Sequence, residues 1–81
     1  MRKIIAIGAL ATIVPDANEM PFLSRNGRIG RTGPRVARSD VYVVIGFEHG
    51  SDDDVVKARY TLLRTRDQHI GELWSDEVVA L

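Results

Sequence analysis

The sequence predicts a small domain of all-β or β-dominated class, with about five strands in an antiparallel meander. Three observations favour this class. Short apolar runs rich in β-branched residues are separated by polar turns. Residues 55–65 alternate between apolar and polar side chains with a period of two. Asn26-Gly27 is the pair that a tight hairpin turn prefers, and the 81 residues allow one domain, residues 1–81.

The first predicted element is the apolar run of residues 3–14, KIIAIGALATIV. Its length fits a strand or a short helix, but Gly8 and the β-branched residues favour a strand. Since both faces are apolar, we expect burial by the rest of the domain or by a second copy. The run resembles an export signal, yet no A-x-A site follows and it is too short to span a bilayer. We therefore expect a cytoplasmic protein, with an uncleaved export signal as the first alternative and a membrane-surface anchor as the least favoured one.

A short ribbon is predicted next, with strands at residues 22–25 and 28–31 around the Asn26-Gly27 turn. Gly30, Gly33 and Pro34 are expected to interrupt the strand that follows this turn.

Residues 41–74 form the predicted central meander of three strands. In the first strand the odd positions are interpreted as the core face; these are Val41, Val43, Ile45 and Phe47. In the second strand the even positions are predicted to point inward; these are Val56, Ala58, Tyr60 and Leu62. The third strand is expected at residues 69–74, and residues 75–81 fit either one helical turn or a final β segment.

The order of elements resembles that of small SH3-like barrels. A basic, Gly- and Pro-rich loop precedes a tight meander, and a short segment follows its last strand. The resemblance implies a partly open barrel and concerns architecture alone, because a fold does not determine a function.

Charge is unevenly distributed along a chain whose formal net charge is zero. Residues 1–40 carry seven basic and three acidic side chains, whereas residues 41–81 carry four basic and eight acidic ones. A net charge of zero argues against a dedicated nucleic-acid binder, which is usually strongly basic. The division still allows a local basic patch, pairing between the halves, or association of chains.

No residue set predicts catalysis, a metal site or a cofactor. The chain has no cysteine and two histidines, and His49 shares one solvated turn with Ser51. A nucleophile there would lack a buried acid and an oxyanion site. The adjacent Asp52, Asp53 and Asp54 point in different directions and lack the EF-hand spacing. We therefore expect a protein that is not an enzyme.

The unusual feature is a basic segment with five arginines and no acidic residue in residues 20–39. Its glycines and Pro34 make a helix improbable, so the segment is interpreted as an extended arm or loop. Its arginines could bind a phosphate backbone or an acidic protein. They could equally protect a sheet edge or pair with the acidic half of the chain. The candidate binding residues are Arg25, Arg28, Arg31, Arg35 and Arg38.

The resulting hypothesis is a non-catalytic binding protein that docks residues 24–38 on an anionic surface of a larger protein or complex. A small inhibitor or adaptor of the type that phages encode is one version. One alternative is a small β-barrel that binds RNA or DNA. Another is a structural subunit of a homo-oligomer that associates through the apolar N-terminal strand.

Overall fold

Seven antiparallel strands form one strongly curled sheet, a half-barrel, in the computed structural model, which describes residues 4–24, 30–50 and 57–81. The strand order is β3-β2-β6-β5-β4-β1-β7, so β3 and β7 are the edges. The described residues contain two 3-10 turns and no α-helix. The all-β class and the partly open barrel are confirmed, with seven strands instead of about five. The strands are β1 Leu10–Ile13, β2 Pro21–Leu23, β3 Arg31–Arg35, β4 Tyr42–Glu48, β5 Arg59–Arg64, β6 Ile70–Trp74 and β7 Val78–Ala80.

The predicted meander is present as β4, β5 and β6, but its first strand has the opposite core face. Tyr42 and Val44 are fully buried, whereas Ile45 is 39% exposed. The register of β4 against β5 shifts between Val44 and Gly46, so Ile45 occupies a β-bulge. After the bulge the odd-numbered positions of β4 point inward, and Phe47 packs against the core. The prediction that Val41, Val43 and Ile45 form the core face is therefore wrong, while Phe47 was placed correctly.

The core occupies the concave side of the sheet. Tyr60 and Leu62 of β5 are buried as predicted, and Leu73 of β6 lies opposite Tyr60. Val56 lies outside the described residues. The buried apolar cluster consists of Ala11, Ile13, Ala17, Phe22, Val36, Tyr42, Val44, Tyr60, Leu62, Leu73 and Val78.

Only the last part of the apolar N-terminal run forms a strand, from Leu10 to Ile13. The chain itself does not bury both faces of the run, because Ile4, Ile7 and Leu10 are at least half exposed. Ala11 lies opposite Tyr42 of β4 on one side and Ala80 of β7 on the other. Strands of the same chain therefore pair with both edges of β1. Before the strand, Ile5 donates its backbone N–H to the Tyr60 hydroxyl at 2.8 Å, which holds this segment over the core.

The β2–β3 hairpin forms one edge of the sheet. Its predicted Asn26-Gly27 turn lies outside the described residues. Leu23 pairs with Arg31, one residue away from the Gly30 that a two-residue Asn26-Gly27 turn would place opposite it. β3 continues through Gly33 and Pro34, but its pairing with β2 is irregular there, since the register shifts between the Arg31 and Arg35 pairs and Gly33 has a φ of +90°. An edge strand accepts proline where the missing N–H would face away from the sheet.

Both C-terminal alternatives occur in succession. Ser75–Glu77 forms a 3-10 turn and Val78–Ala80 forms β7. The Glu77 carboxylate accepts the backbone N–H of Trp74 at 2.9 Å and the Arg31 guanidinium at 2.5 Å. Since Arg31 begins edge strand β3 and Glu77 precedes edge strand β7, this ion pair links the two open sides of the half-barrel.

Candidate anion-binding surface

The predicted basic segment is divided by the structure. Arg25 and Arg28 lie outside the described residues. The Arg31 side chain is only 16% exposed, and it binds Glu77 and donates to the carbonyl of Pro21 at 3.1 Å. Arg31 thus pairs with the acidic half of the chain, which is one of the alternatives that the sequence left open.

Arg35 and Arg38 are exposed and occupy the end of β3 and the loop that leads to β4. Arg35 donates from Nη1 to the carbonyl of Glu19 at 2.6 Å. The backbone at Arg38 is fixed on both sides. Its N–H donates to the Asn18 side chain at 2.9 Å, and its carbonyl accepts the Thr12 hydroxyl at 3.1 Å. These two arginines therefore stand on restrained backbone with accessible side chains.

A buried arginine lies beneath this part of the surface. Arg64 is 1% exposed and forms a two-pronged ion pair with Asp67, with Nε to Oδ1 at 2.9 Å and Nη2 to Oδ2 at 2.7 Å. Its Nη1 donates to the carbonyl of Arg35 at 2.8 Å. The guanidinium carbon lies 5.7 Å from the centre of the Phe22 ring, within the range of a cation–π contact. Arg64 thereby fastens the edge strand that carries Arg35 to the centre of the sheet.

Asp40 is the buried acid of this network. One of its oxygens lies 3.6 Å from Nη1 of Arg64, and the other lies 3.4 Å from Nε of Arg66. The Tyr42 hydroxyl donates weakly to Asp40 at 3.5 Å. Burial, and secondarily the charge of Asp40, raises the pKa of Tyr42, so the phenol stays neutral. Two arginines thus compensate a carboxylate that would be costly to bury alone.

Three exposed arginines are linked to the buried pair, and we call Arg35, Arg38 and Arg66 the basic surface. The Arg35 carbonyl bonds Arg64, Arg66 contacts Asp40, and Arg38 precedes Asp40 by two residues. The Arg66 side chain is 62% exposed. With Arg64, Asp40 and Asp67 included, four arginines face two aspartates, which leaves a formal charge of +2. The arrangement has excess positive charge for anionic groups, because both aspartates are ion-paired; Asp40 is buried, whereas the Asp67 side chain is 46% exposed.

The Asp67 carboxylate should make stability sensitive to acid. Its hydrogen bonds with Arg64, and secondarily with the His69 N–H, lower the pKa of Asp67 below its ordinary value. A lowered folded-state pKa stabilises the fold above the unfolded pKa of about 4, and this contribution is lost as the pH falls further. We expect the gap in unfolding free energy between the parent and Asp67→Asn to narrow from about pH 5 to about pH 2. Urea titrations across this range measure it, and a constant gap would contradict the assignment.

A cavity of about 460 Å³ opens beside β2 and β6, and Phe22, Leu23, Ile70 and Thr61 are among its lining residues. Its lining includes the ionisable residues His69 and Glu72. The His69 ring packs on Phe22 with centroids 5.2 Å apart, and Glu72 lies 3.4 Å from Nε of Arg59.

No cluster suited to a metal ion occurs within residues 4–24, 30–50 and 57–81. His49 packs against the edge of Phe47 with ring centroids 4.8 Å apart. Residues 51–56, with the other members of the acidic turn, lie outside the described part. Over that same part of the chain, no helix is long and apolar enough to cross a membrane.

Four charged members of the network were not among the candidate residues predicted from the sequence: Asp40, Arg64, Arg66 and Asp67. Arg64 follows Tyr60 and Leu62 at the same alternating spacing, so the sequence pattern indicates that it points inward. Burial was not predicted, because charged side chains rarely occupy core positions. Arg66 follows two residues later, in the turn after β5, and joins the basic surface only through its contact with Asp40.

Comparisons of the chain with protein families, curated proteins and solved structures found no match.

Proposed function

We propose that this chain is a non-catalytic binding protein that docks its basic surface on an anionic surface of a larger protein or complex. The observation that carries the proposal is the presence of exposed arginines linked to the buried Asp40–Arg64 pair. A guanidinium presents planar donors that match carboxylates in two-pronged geometry. Arg31 is left out of the proposed contact, because its side chain binds Glu77.

Restraint of the surface supports binding. The Arg35 carbonyl is tied to Arg64, and the Arg38 amide is tied to Asn18. Backbone that is already ordered loses less conformational entropy on association, so more of the contact energy contributes to affinity.

A protein partner fits these residues better than a single-stranded nucleic acid does. Binding of single strands commonly uses exposed aromatic rings on which bases stack. Phe22, Tyr42 and Tyr60 are buried, and Phe47 packs against the core. Trp74 is partly buried at the end of β6 away from Arg66. The formal net charge of zero favours the same choice.

The test compares capture from the native source by the parent and by the double variant Arg35→Glu, Arg38→Glu, with and without nuclease. Lys57→Glu is the matched control, because Lys57 is exposed and lies near Trp74 instead of the basic surface. We expect the parent and the control to retain one stoichiometric protein after nuclease treatment. Reversal of desolvated charges should weaken binding of the purified partner at least about tenfold per arginine.

Three outcomes oppose the proposal. A partner that the double variant retains at parental affinity would exclude the basic surface. A partner lost on nuclease treatment would favour the RNA- or DNA-binding alternative. Eluates that match a mock column would remove the docking hypothesis.

A further inference from the structure

The two edges of the half-barrel differ in how they discourage pairing with another strand. Edge strand β3 contains Pro34, a Gly33 with φ of +90°, and an arginine at each end. Charge, proline and irregular backbone all oppose further pairing. Edge strand β7 has none of these devices, since its sequence is Val-Val-Ala and Leu81 follows. β7 is therefore the edge suited to accept a strand.

The hydrogen bonds between β1 and β7 show which backbone groups point outward. Val14 donates to the carbonyl of Glu77 at 3.0 Å, and Leu81 donates to the carbonyl of Leu10 at 3.1 Å. Residues alternate in an antiparallel ladder, so positions 77, 79 and 81 face β1 and Ala80 faces away. Among the described residues, β1 is the sole strand that pairs with β7. Ala80 thus presents a donor and an acceptor side by side at the edge.

The outer face beside this edge is apolar. The strand register aligns a row of five side chains, from Leu81, which follows β7, across β1, β4 and β5 to β6. Three members are at least half exposed: Leu81 at 68%, Ile70 at 58% and Leu10 at 50%. Val79 of β7 is 37% exposed on the same face. The row consists of Leu81, Leu10, Val43, Leu63 and Ile70, and none of these carries a charge.

We propose that two copies of this chain associate by antiparallel pairing of their β7 strands, centred on Ala80. The Ala80 N–H of each copy donates to the Ala80 carbonyl of the other. Val79 of one copy then lies opposite Leu81 of the other in a closely spaced pair on the outer face. The two sheets join edge to edge, and Leu81 at the end of each apolar row meets Val79 of the other copy.

A second copy suits this edge because the pairing is reciprocal and free of like-charge contacts. The exposed Asp76 precedes Ala80 by four residues, so antiparallel pairing separates the two Asp76 residues by roughly 27 Å. The formal net charge of zero adds no overall repulsion. Small domains also gain buried area by association. Because the contact is small, we expect the dimer at roughly 100 µM and above.

Sedimentation velocity on the purified chain from about 10 µM to about 1 mM tests the proposal. The parent should shift from monomer to dimer mass as concentration rises. Ala80→Pro removes the outward N–H without breaking the ladder to β1, and it should remain monomeric. Val79→Lys should also remain monomeric, because lysine opposes edge pairing. Thermal melts followed by circular dichroism show whether each variant is folded. If Ala80→Pro is less stable than the parent, Val79→Lys is the variant that tests the proposal.

Two control variants locate the contact. Thr32→Lys changes an exposed residue of the opposite edge strand β3, and Ile70→Lys changes the apolar row far from β7. Both should dimerise as the parent does. A parent that stays monomeric at about 1 mM would overturn the proposal, as would a dimer that survives both β7 variants. Loss of the dimer in Ile70→Lys would indicate stacking of faces and also contradict edge pairing.

Discussion

Replacing Arg64 with methionine should lower the free energy of unfolding by about 3–5 kcal/mol. The change keeps much of the side-chain volume but removes the cation that lies 3.6 Å from the buried Asp40. It also leaves the carbonyl of Arg35 without its donor. A buried charge without its partner retains the full cost of desolvation, and in a domain with roughly 5–15 kcal/mol of total stability this loss is severe. Urea unfolding followed by Trp74 fluorescence measures the effect.

The matched control is Arg66→Met, which removes the other cation near Asp40. Because the Arg66 side chain is 62% exposed, we expect a loss below about 1 kcal/mol. The double variant Asp40→Leu, Arg64→Met should recover much of the stability, since no buried carboxylate remains unpaired. Equal urea midpoints for Arg64→Met and Arg66→Met would show that the buried Asp40–Arg64 pair contributes no more to stability than the exposed Arg66 does.

Phe22→Ala should cost about 3–5 kcal/mol. Phe22 is 2% exposed, and its ring contacts Tyr42 edge-on at 6.3 Å, stacks near His69 and lies below the Arg64 guanidinium. Removing the ring leaves a cavity at the point where β2, which lies between β3 and β6, meets the core. Thermal and urea unfolding measure the loss. Ile45→Ala is the control; because Ile45 lies exposed in the bulge, we expect a cost below about 1 kcal/mol.

Substitution of Gly71 in β6 tests how closely the Phe22 ring packs on this strand. A Cβ at position 71 would lie 2.4 Å from two atoms of the Phe22 ring, so Gly71→Ala should be destabilising by about 1–3 kcal/mol in the parent. In the Phe22→Ala background the added methyl enters vacant space and should cost much less. Additive losses in the double variant would contradict the packing of Phe22 on Gly71.

Local signals in the sequence were sufficient for the all-β class. The period of two in β5 placed Tyr60 and Leu62 correctly, because one face of that strand is largely polar. In β4 both faces are apolar, so alternation does not mark the interior. The bulge at Ile45 then reverses the parity within the strand. A single inserted residue of this kind depends on pairing with β5 and has no local signature here.

The basic surface was only partly predictable, because a sheet brings together residues that are distant in the chain. Arg31 belongs to the basic segment but reaches an acid 46 residues away. Arg66 lies outside the segment and joins the surface through Asp40, 26 residues away. Such pairings depend on strand order, which a local count of arginines does not contain.

The ion pair between Arg31 and Glu77 has a consequence for how the fold opens. Between β3 and β7 the half-barrel is connected by this side-chain contact, whereas neighbouring strands of the sheet are connected by backbone hydrogen bonds. We therefore expect local unfolding to begin by separation of β3 from β7, which we call the seam. Salt screens a largely buried ion pair only weakly, so the seam should hold at physiological ionic strength. Amide hydrogens of β3 and β7 should exchange with solvent before those of β4 and β5, and uniform protection would show that the sheet opens only as a whole.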